Sequence, residues 1–107
     1  MRVGCLLIHG FTGGPFEVLP LADFLKERGF DVEVPVLPGH AEDYRDLGEV
    51  TYFDWLDSAV EAYKRLSKRC ERIIVIGFSM GGLLAVNLTS QFPAVGLVTL
   101  STPIYVW

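Results

Sequence analysis

The stretch RIIVIGFSMGGLLAVNL, residues 72–88, constrains the fold more than any other part of the chain. Residues 73–76 are β-branched and apolar, which is typical of a strand buried on both faces. The turn GFSMGG leads directly into a second apolar segment, and this segment predicts a helix that ends near Pro93. A strand, a glycine-rich turn and a helix in immediate succession indicate the repeating unit of an α/β protein.

The rest of the chain continues this alternation of strands and helices. Apolar runs predict strands in VGCLLIHG, in DVEV before Pro35, and in VGLVTLST. Helical spacing predicts two helices, one from about Pro20 to Gly29 and one from Thr51 to about Lys68. Residues at helical spacing define one face of each helix: Leu21, Phe24 and Leu25 in the first, and Trp55, Ala59, Tyr63 and Leu66 in the second. The fold class is therefore α/β, with a mostly parallel sheet of about four strands and helices on both faces.

Composition and charge exclude several classes of protein. A chain of 107 residues is about one small domain, and its net charge of -4 without a basic stripe argues against nucleic acid as a partner. The apolar runs are too short for a transmembrane segment or a signal peptide. Cys5 and Cys70 do not form a disulfide framework, so we expect free thiols and a cytoplasmic protein.

The motif G-x-S-x-G places Ser79 between Gly77 and Gly81. Between a strand and a helix this motif predicts a nucleophile elbow, in which the chain turns so sharply that the serine adopts a sparsely populated backbone conformation. Such strain costs roughly 1–3 kcal/mol, and side chains two residues to either side would collide with the turn. The alternative is a phosphate-binding turn, which usually carries G-x-G-x-x-G or a following lysine, and both are absent here.

A second glycine-rich turn, HGFTGG, comes after the first predicted strand. Gly10 lets the backbone approach a ligand closely, and the N–H of Phe11 is the candidate for one oxyanion donor. The N–H of Met80, the residue after Ser79, is the candidate for the other. His9 ends a strand before a glycine, which favours a structural role in bracing the loop over a role as catalytic base.

The motifs HGFTGGP, LPGH, TYFDW and GFSMGG occur in an order and spacing that resemble the α/β-hydrolase superfamily, in particular bacterial carboxylesterases and monoacylglycerol lipases. This resemblance implies Ser79 as nucleophile and Phe11 and Met80 as oxyanion donors. It implies hydrolysis of a small-molecule acyl ester through an acyl-serine intermediate, with no metal or organic cofactor. It also implies a spatial order of strands: 32–34, 3–8, 72–77 and 96–100.

The chain departs from the family on the C-terminal side of the nucleophile. The family places Asp or Glu and then His after the serine, but residues 80–107 contain no Asp, Glu or His. By this resemblance, residues 1–107 are the N-terminal portion of a hydrolase core, without the acid and His portion and most of the cap. We therefore expect weak or no activity from the 107 residues. An internal base, His40 oriented by Asp43 or Asp46, is the less favoured alternative.

Two further hypotheses concern partners and function. The uncharged, β-prone stretch VGLVTLSTPIYVW predicts self-association or pairing with the C-terminal half. Thioesterases and acyltransferases use the same half-site as esterases, and a non-catalytic interaction module of the same fold is the alternative outside enzymes. Such a module has no need of a strained serine, so the motif favours a hydrolase.

Overall fold

The computed structural model of the chain describes residues 2–10, 18–36 and 52–100. Strands and helices alternate along these residues as β1 (Val3–Ile8), α1 (Leu19–Glu27), β2 (Asp31–Glu33), α2 (Tyr52–Ser67), β3 (Arg72–Phe78), α3 (Gly81–Gln91) and β4 (Gly96–Leu100). In this part of the chain, four strands form one parallel sheet in the order β2-β1-β3-β4. The predicted fold class and strand order are thus confirmed.

The two faces of the sheet bury separate groups of apolar residues. On one face, Cys5 and Leu7 of β1 pack with Ala22 of α1. On the other face, Leu6 and Ile8 of β1 pack with residues of α2 and α3. Successive residues of β1 therefore enter opposite cores, which is why its sequence is continuously apolar rather than alternating.

Helix α2 covers its face of the sheet with the stripe that its sequence predicts. Trp55, Ala59, Tyr63 and Leu66 are all buried. The helix ends at Ser67, one residue before the predicted end, and Thr51, at which it was predicted to begin, lies outside the described residues. The hydroxyl of Tyr63 donates to the carbonyl of Pro93 at 2.5 Å, so the C-terminal half of α2 is tied to the segment after α3.

Helix α1 differs from its predicted face in one respect. Phe24 is half exposed, and the guanidinium of Arg28 lies 3.6 Å from its ring centroid. The contact of α1 with the sheet is centred on Ala22, a fully buried small residue. Phe24 lies two positions further along, or roughly 200° around the helix, and so falls on the outer side.

A charged cluster closes the amino-terminal edge of the sheet. Arg2 pairs with Asp31 at 2.6 Å, and the thiol of Cys70 donates to the same carboxylate at 3.1 Å. The bond from Arg2, followed by that from Cys70, lowers the pKa of Asp31. Burial, and then the hydrogen bond to Asp31, raises the pKa of the Cys70 thiol. Both cysteines are free, as predicted, and both are buried.

Glu33 forms a second ionic contact beside this cluster. It accepts hydrogen bonds from Arg65 at 3.0 Å and from Arg69 at 2.8 Å. Burial by itself would raise the pKa of Glu33, but the bonds from Arg69 and Arg65 outweigh it and hold the pKa below its usual value. These bonds connect β2 to the end of α2 across the edge of the sheet.

Strand β4 is the outermost strand of the described sheet on the side of β3. It pairs with β3 and, among the described residues, with no other strand. Its side chains are exposed, with Leu97 and Val98 each 42% accessible and Leu100 40% accessible.

No helix in the described ranges is long and apolar enough to cross a membrane.

Candidate active site

The turn between β3 and α3 carries Ser79 in a left-handed backbone conformation. Its φ is +56°, and it is the one non-glycine residue with positive φ among residues 2–10, 18–36 and 52–100. Three backbone hydrogen bonds hold the turn: Gly82 N–H to the Ser79 carbonyl at 3.0 Å, Leu83 N–H to the Met80 carbonyl at 3.1 Å, and Ser79 N–H to the Leu100 carbonyl at 2.7 Å. A strained residue persists only where its surroundings fix it, and these bonds do so.

The positions two residues before and after Ser79 have no space for a side chain. A Cβ atom at Gly77 would lie 2.5 Å from the carbonyl oxygen of Gly81 and 2.5 Å from the Cα of Gly82. A Cβ atom at Gly81 would overlap the carbonyl oxygens of Ile8 and His9. The two glycines therefore allow α3 to start directly against β3 and against the carboxyl end of β1.

The end of β1 brings His9 and Gly10 beside this turn. His9 is fully buried, and its Nδ1 lies 3.0 Å from the carbonyl oxygen of Gly10. Because a carbonyl oxygen only accepts, Nδ1 is the donor and carries the proton. The imidazole of His9 therefore forms a hydrogen bond with the backbone at the start of the loop after β1.

The start of α3 gives the turn a favourable electrostatic environment for an anion. Met80 is the N-cap of α3, and the first turn of the helix contains no acidic residue. The aligned peptide dipoles place partial positive charge at this end of the helix. Ser79 and Met80 are both partly accessible to solvent, so a ligand can reach them.

Not every residue predicted for the site falls within the described residues. Phe11 and the alternative base His40 with its two aspartates lie outside them, and these predictions remain predictions. Phe78, the residue before Ser79, is partly buried and packs against the apolar cluster on the α1 side of the sheet. In the ranges that the structure describes, no group of three His, Cys, Asp or Glu side chains forms a metal-binding cluster.

Sequence reasoning missed one contact of the site, the hydrogen bond between Ser79 and Leu100. The pairing of β3 with β4 puts Phe78 opposite Leu100, so that the next N–H along β3 meets the carbonyl at the end of β4. The predicted strand VGLVTLST contained the residue, but the register between two strands is a non-local property. A single strand pattern does not determine it.

The chain is similar to several known proteins over nearly its whole length. A model of the alpha/beta hydrolase family matches residues 5–106. A thermostable monoacylglycerol lipase from Bacillus sp. (strain H-257) is 41% identical over 103 residues, which are 95% of this chain and 41% of the lipase. A carboxylesterase from Bacillus subtilis (strain 168) is 32% identical over 102 residues, which are 94% of this chain and 42% of the esterase.

A solved structure shows the same arrangement of elements. It belongs to a study of two metagenome-derived lipolytic enzymes, and it matches with a TM-score of 0.92 and 34% identity over 97% of this chain and 43% of that chain. The chain thus spans about two fifths of the length of the curated relatives that it matches.

Proposed function

The chain belongs to the alpha/beta hydrolase family, and on that premise we propose that it supplies the nucleophile of a serine carboxylic-ester hydrolase. The observation that carries the proposal is the left-handed conformation of Ser79 at the junction of β3 and α3. A serine with no chemical task would gain nothing from this strain, because glycine adopts the same conformation without it. The names of the two curated relatives, a monoacylglycerol lipase and a carboxylesterase, favour a carboxylic ester as substrate.

The proposed reaction proceeds through two acyl transfers. Ser79 Oγ attacks the ester carbonyl carbon while a general base takes the hydroxyl proton, and the carbonyl oxygen becomes an oxyanion. The N–H groups of Met80 and Phe11 would stabilise that oxyanion, with the N-terminus of α3 adding partial positive charge. Collapse of the intermediate expels the alcohol, which receives the proton, and leaves an acyl group on Ser79. Water then repeats the sequence, releasing the carboxylic acid and restoring the serine.

Residues 80–107 contain no Asp, Glu or His, so the sequence after Ser79 does not supply the general base. The family's chain order puts acid and base after the nucleophile, which favours a base from polypeptide other than these 107 residues over His40. His9 is buried and donates to Gly10, which suits bracing of the loop rather than proton transfer. Without a triad partner, oxyanion stabilisation and binding still give about 10³–10⁴-fold catalysis over water in well-studied hydrolases. We therefore expect slow chemistry from the 107-residue chain alone.

A fluorophosphonate probe tests the proposal, because it forms a covalent adduct with an activated serine. The adduct should form slowly on Ser79 of the 107-residue chain, as located by mass spectrometry, and should be lost in Ser79→Ala. The matched control is Ser90→Ala, since Ser90 is an exposed serine on α3 whose hydroxyl donates to the carbonyl of Asn87 three residues earlier. This variant should label at the wild-type rate.

A chimera tests whether the general base comes from polypeptide other than these 107 residues. The 107 residues fused to the part of the Bacillus monoacylglycerol lipase that they do not match should label at least tenfold faster than the chain alone. An oxoester should be hydrolysed faster than a matched thioester, which separates an esterase from a thioesterase. Absence of an adduct on Ser79 in both the chain and the chimera refutes the proposal and supports a non-catalytic module.

A further inference from the structure

Strand β4 is connected to the Ser79 turn by a direct hydrogen bond. The N–H of Ser79 donates to the carbonyl oxygen of Leu100 at 2.7 Å, which is short for a bond between backbone groups. At the other end of β4, the N–H of Val95 donates to the carbonyl of Ile73 at 2.9 Å. Backbone hydrogen bonds thus hold β4 to β3 from the residue that precedes it to its last residue.

The Ser79 turn depends on support from three directions. From α3, the N–H of Gly82 bonds the Ser79 carbonyl, and from β1, the carbonyls of Ile8 and His9 leave no space above Gly81. From β4, Leu100 holds the N–H of Ser79 itself. The first two supports involve buried residues, whereas Leu100 belongs to an exposed strand.

We expect the third support to open more readily than the other two. Exposed elements with few buried side chains open locally at lower free energy than the core of a fold. Val98 and Leu100 are each about two-fifths exposed, whereas β1 is buried almost throughout and pairs on both sides. When the end of β4 opens, the N–H of Ser79 loses its acceptor and the turn loses one of its constraints.

We propose that Leu100 is a positioning residue for the ester hydrolase reaction, acting through its carbonyl oxygen on the N–H of Ser79. The docking of β4 on β3 then sets the fraction of molecules in which Ser79 Oγ has its attacking position. This inference rests on the proposed function for its chemical consequence. The contact itself is a property of the fold and is tested separately.

Amide hydrogen exchange tests the contact with a matched pair of substitutions. Val98→Ala weakens β4, and Val32→Ala makes the same change in β2, the strand at the opposite edge, which pairs with β1 at Cys5. In Val98→Ala, the amide of Ser79 should exchange about fivefold faster than in the wild type. In Val32→Ala, it should stay within twofold of the wild type. An unchanged rate in Val98→Ala, or equal acceleration in both variants, overturns the inference.

Labelling by the fluorophosphonate tests the chemical consequence. Val98→Pro removes a backbone N–H from β4 and should lower the rate of labelling at Ser79 at least tenfold while the amides of β1 remain protected. Labelling at the wild-type rate in a Val98→Pro chain with protected β1 amides overturns the inference. If Val98→Pro does not fold, the amide exchange of Ser79 in Val98→Ala and Val32→Ala still tests the inference. If exchange behaves as expected but no chain or chimera labels, the contact stands and the proposed function fails.

Discussion

Adding one methyl group at Gly81 should destabilise the fold and distort the site together. The Cβ of Gly81→Ala would overlap the carbonyl oxygens of Ile8 and His9. Overpacking of this kind costs about 1–3 kcal/mol, and the upper end applies because the neighbours are backbone atoms at the carboxyl end of β1, a strand that is paired on both sides. The higher helix propensity of alanine offsets this cost by up to about 1 kcal/mol at the start of α3. The net loss of unfolding free energy is therefore about 2 kcal/mol.

Thermal and urea unfolding measure this loss, and a second glycine supplies the control. A loss of about 2 kcal/mol lowers the melting temperature of a domain this size by about 8–16 °C. A Cβ at Gly96 would lie 3.6 Å from Cγ2 of Ile74, an ordinary contact, so Gly96→Ala should stabilise by about 0.4–1 kcal/mol. Gly81→Ala should also slow labelling of Ser79, because α3 must shift away from β1. A Gly81→Ala chain that melts at the wild-type temperature and labels normally would refute this steric reasoning.

Two further predictions concern acid stability and association. Because Arg2, and then Cys70, lowers the pKa of folded Asp31, this carboxylate stabilises the fold at neutral pH. Its contribution should begin to fall below the unfolded pKa of about 3.9 and be lost as the pH drops through the folded value. Melting temperatures between about pH 2 and pH 6 measure this loss. In Asp31→Asn, the melting temperature should fall less steeply with decreasing pH below about pH 4 than in the wild type, and an equally steep fall in the variant would contradict the assignment. The exposed, uncharged edge of β4 should pair with a second copy, so light scattering should show a mass that rises with concentration, and Leu97→Lys should reduce it. A concentration-independent monomer would count against this pairing.

The local pattern of the sequence was sufficient to predict the elements that position the site. β-branched residues 73–76 and the apolar run of β1 predicted the two central strands, because a strand buried on both faces is necessarily apolar throughout. Helical spacing identified the buried stripe of α2 through Trp55 and Ala59. The order of the strands came from resemblance to a family, since alternation alone does not fix which strands are neighbours.

The features that sequence reasoning did not predict are those that depend on distant parts of the chain. The bond between Ser79 and Leu100 requires the register of two strands, and the Arg2–Asp31–Cys70 cluster requires β1, β2 and the end of α2 to meet. Helical periodicity also assigned Phe24 to the buried face of α1, because it does not show that the contact of α1 with the sheet is centred on Ala22. The roles predicted for Phe11 and His40 depend on loops outside the described residues and stay predictions.

The central position of β1 has a consequence for how the chain folds during synthesis. Cys5 lies opposite Val32 on one side and Ile74 on the other, so β1 is synthesised before both strands that pair with it. At about 5–20 residues per second, the delay before β3 is complete is on the order of ten seconds. Throughout that interval the most apolar strand of the sheet has no inner neighbour, and contacts of such long sequence separation form slowly in any case. The native pairing of β1 with its inner neighbour therefore cannot form until β3 has left the ribosome.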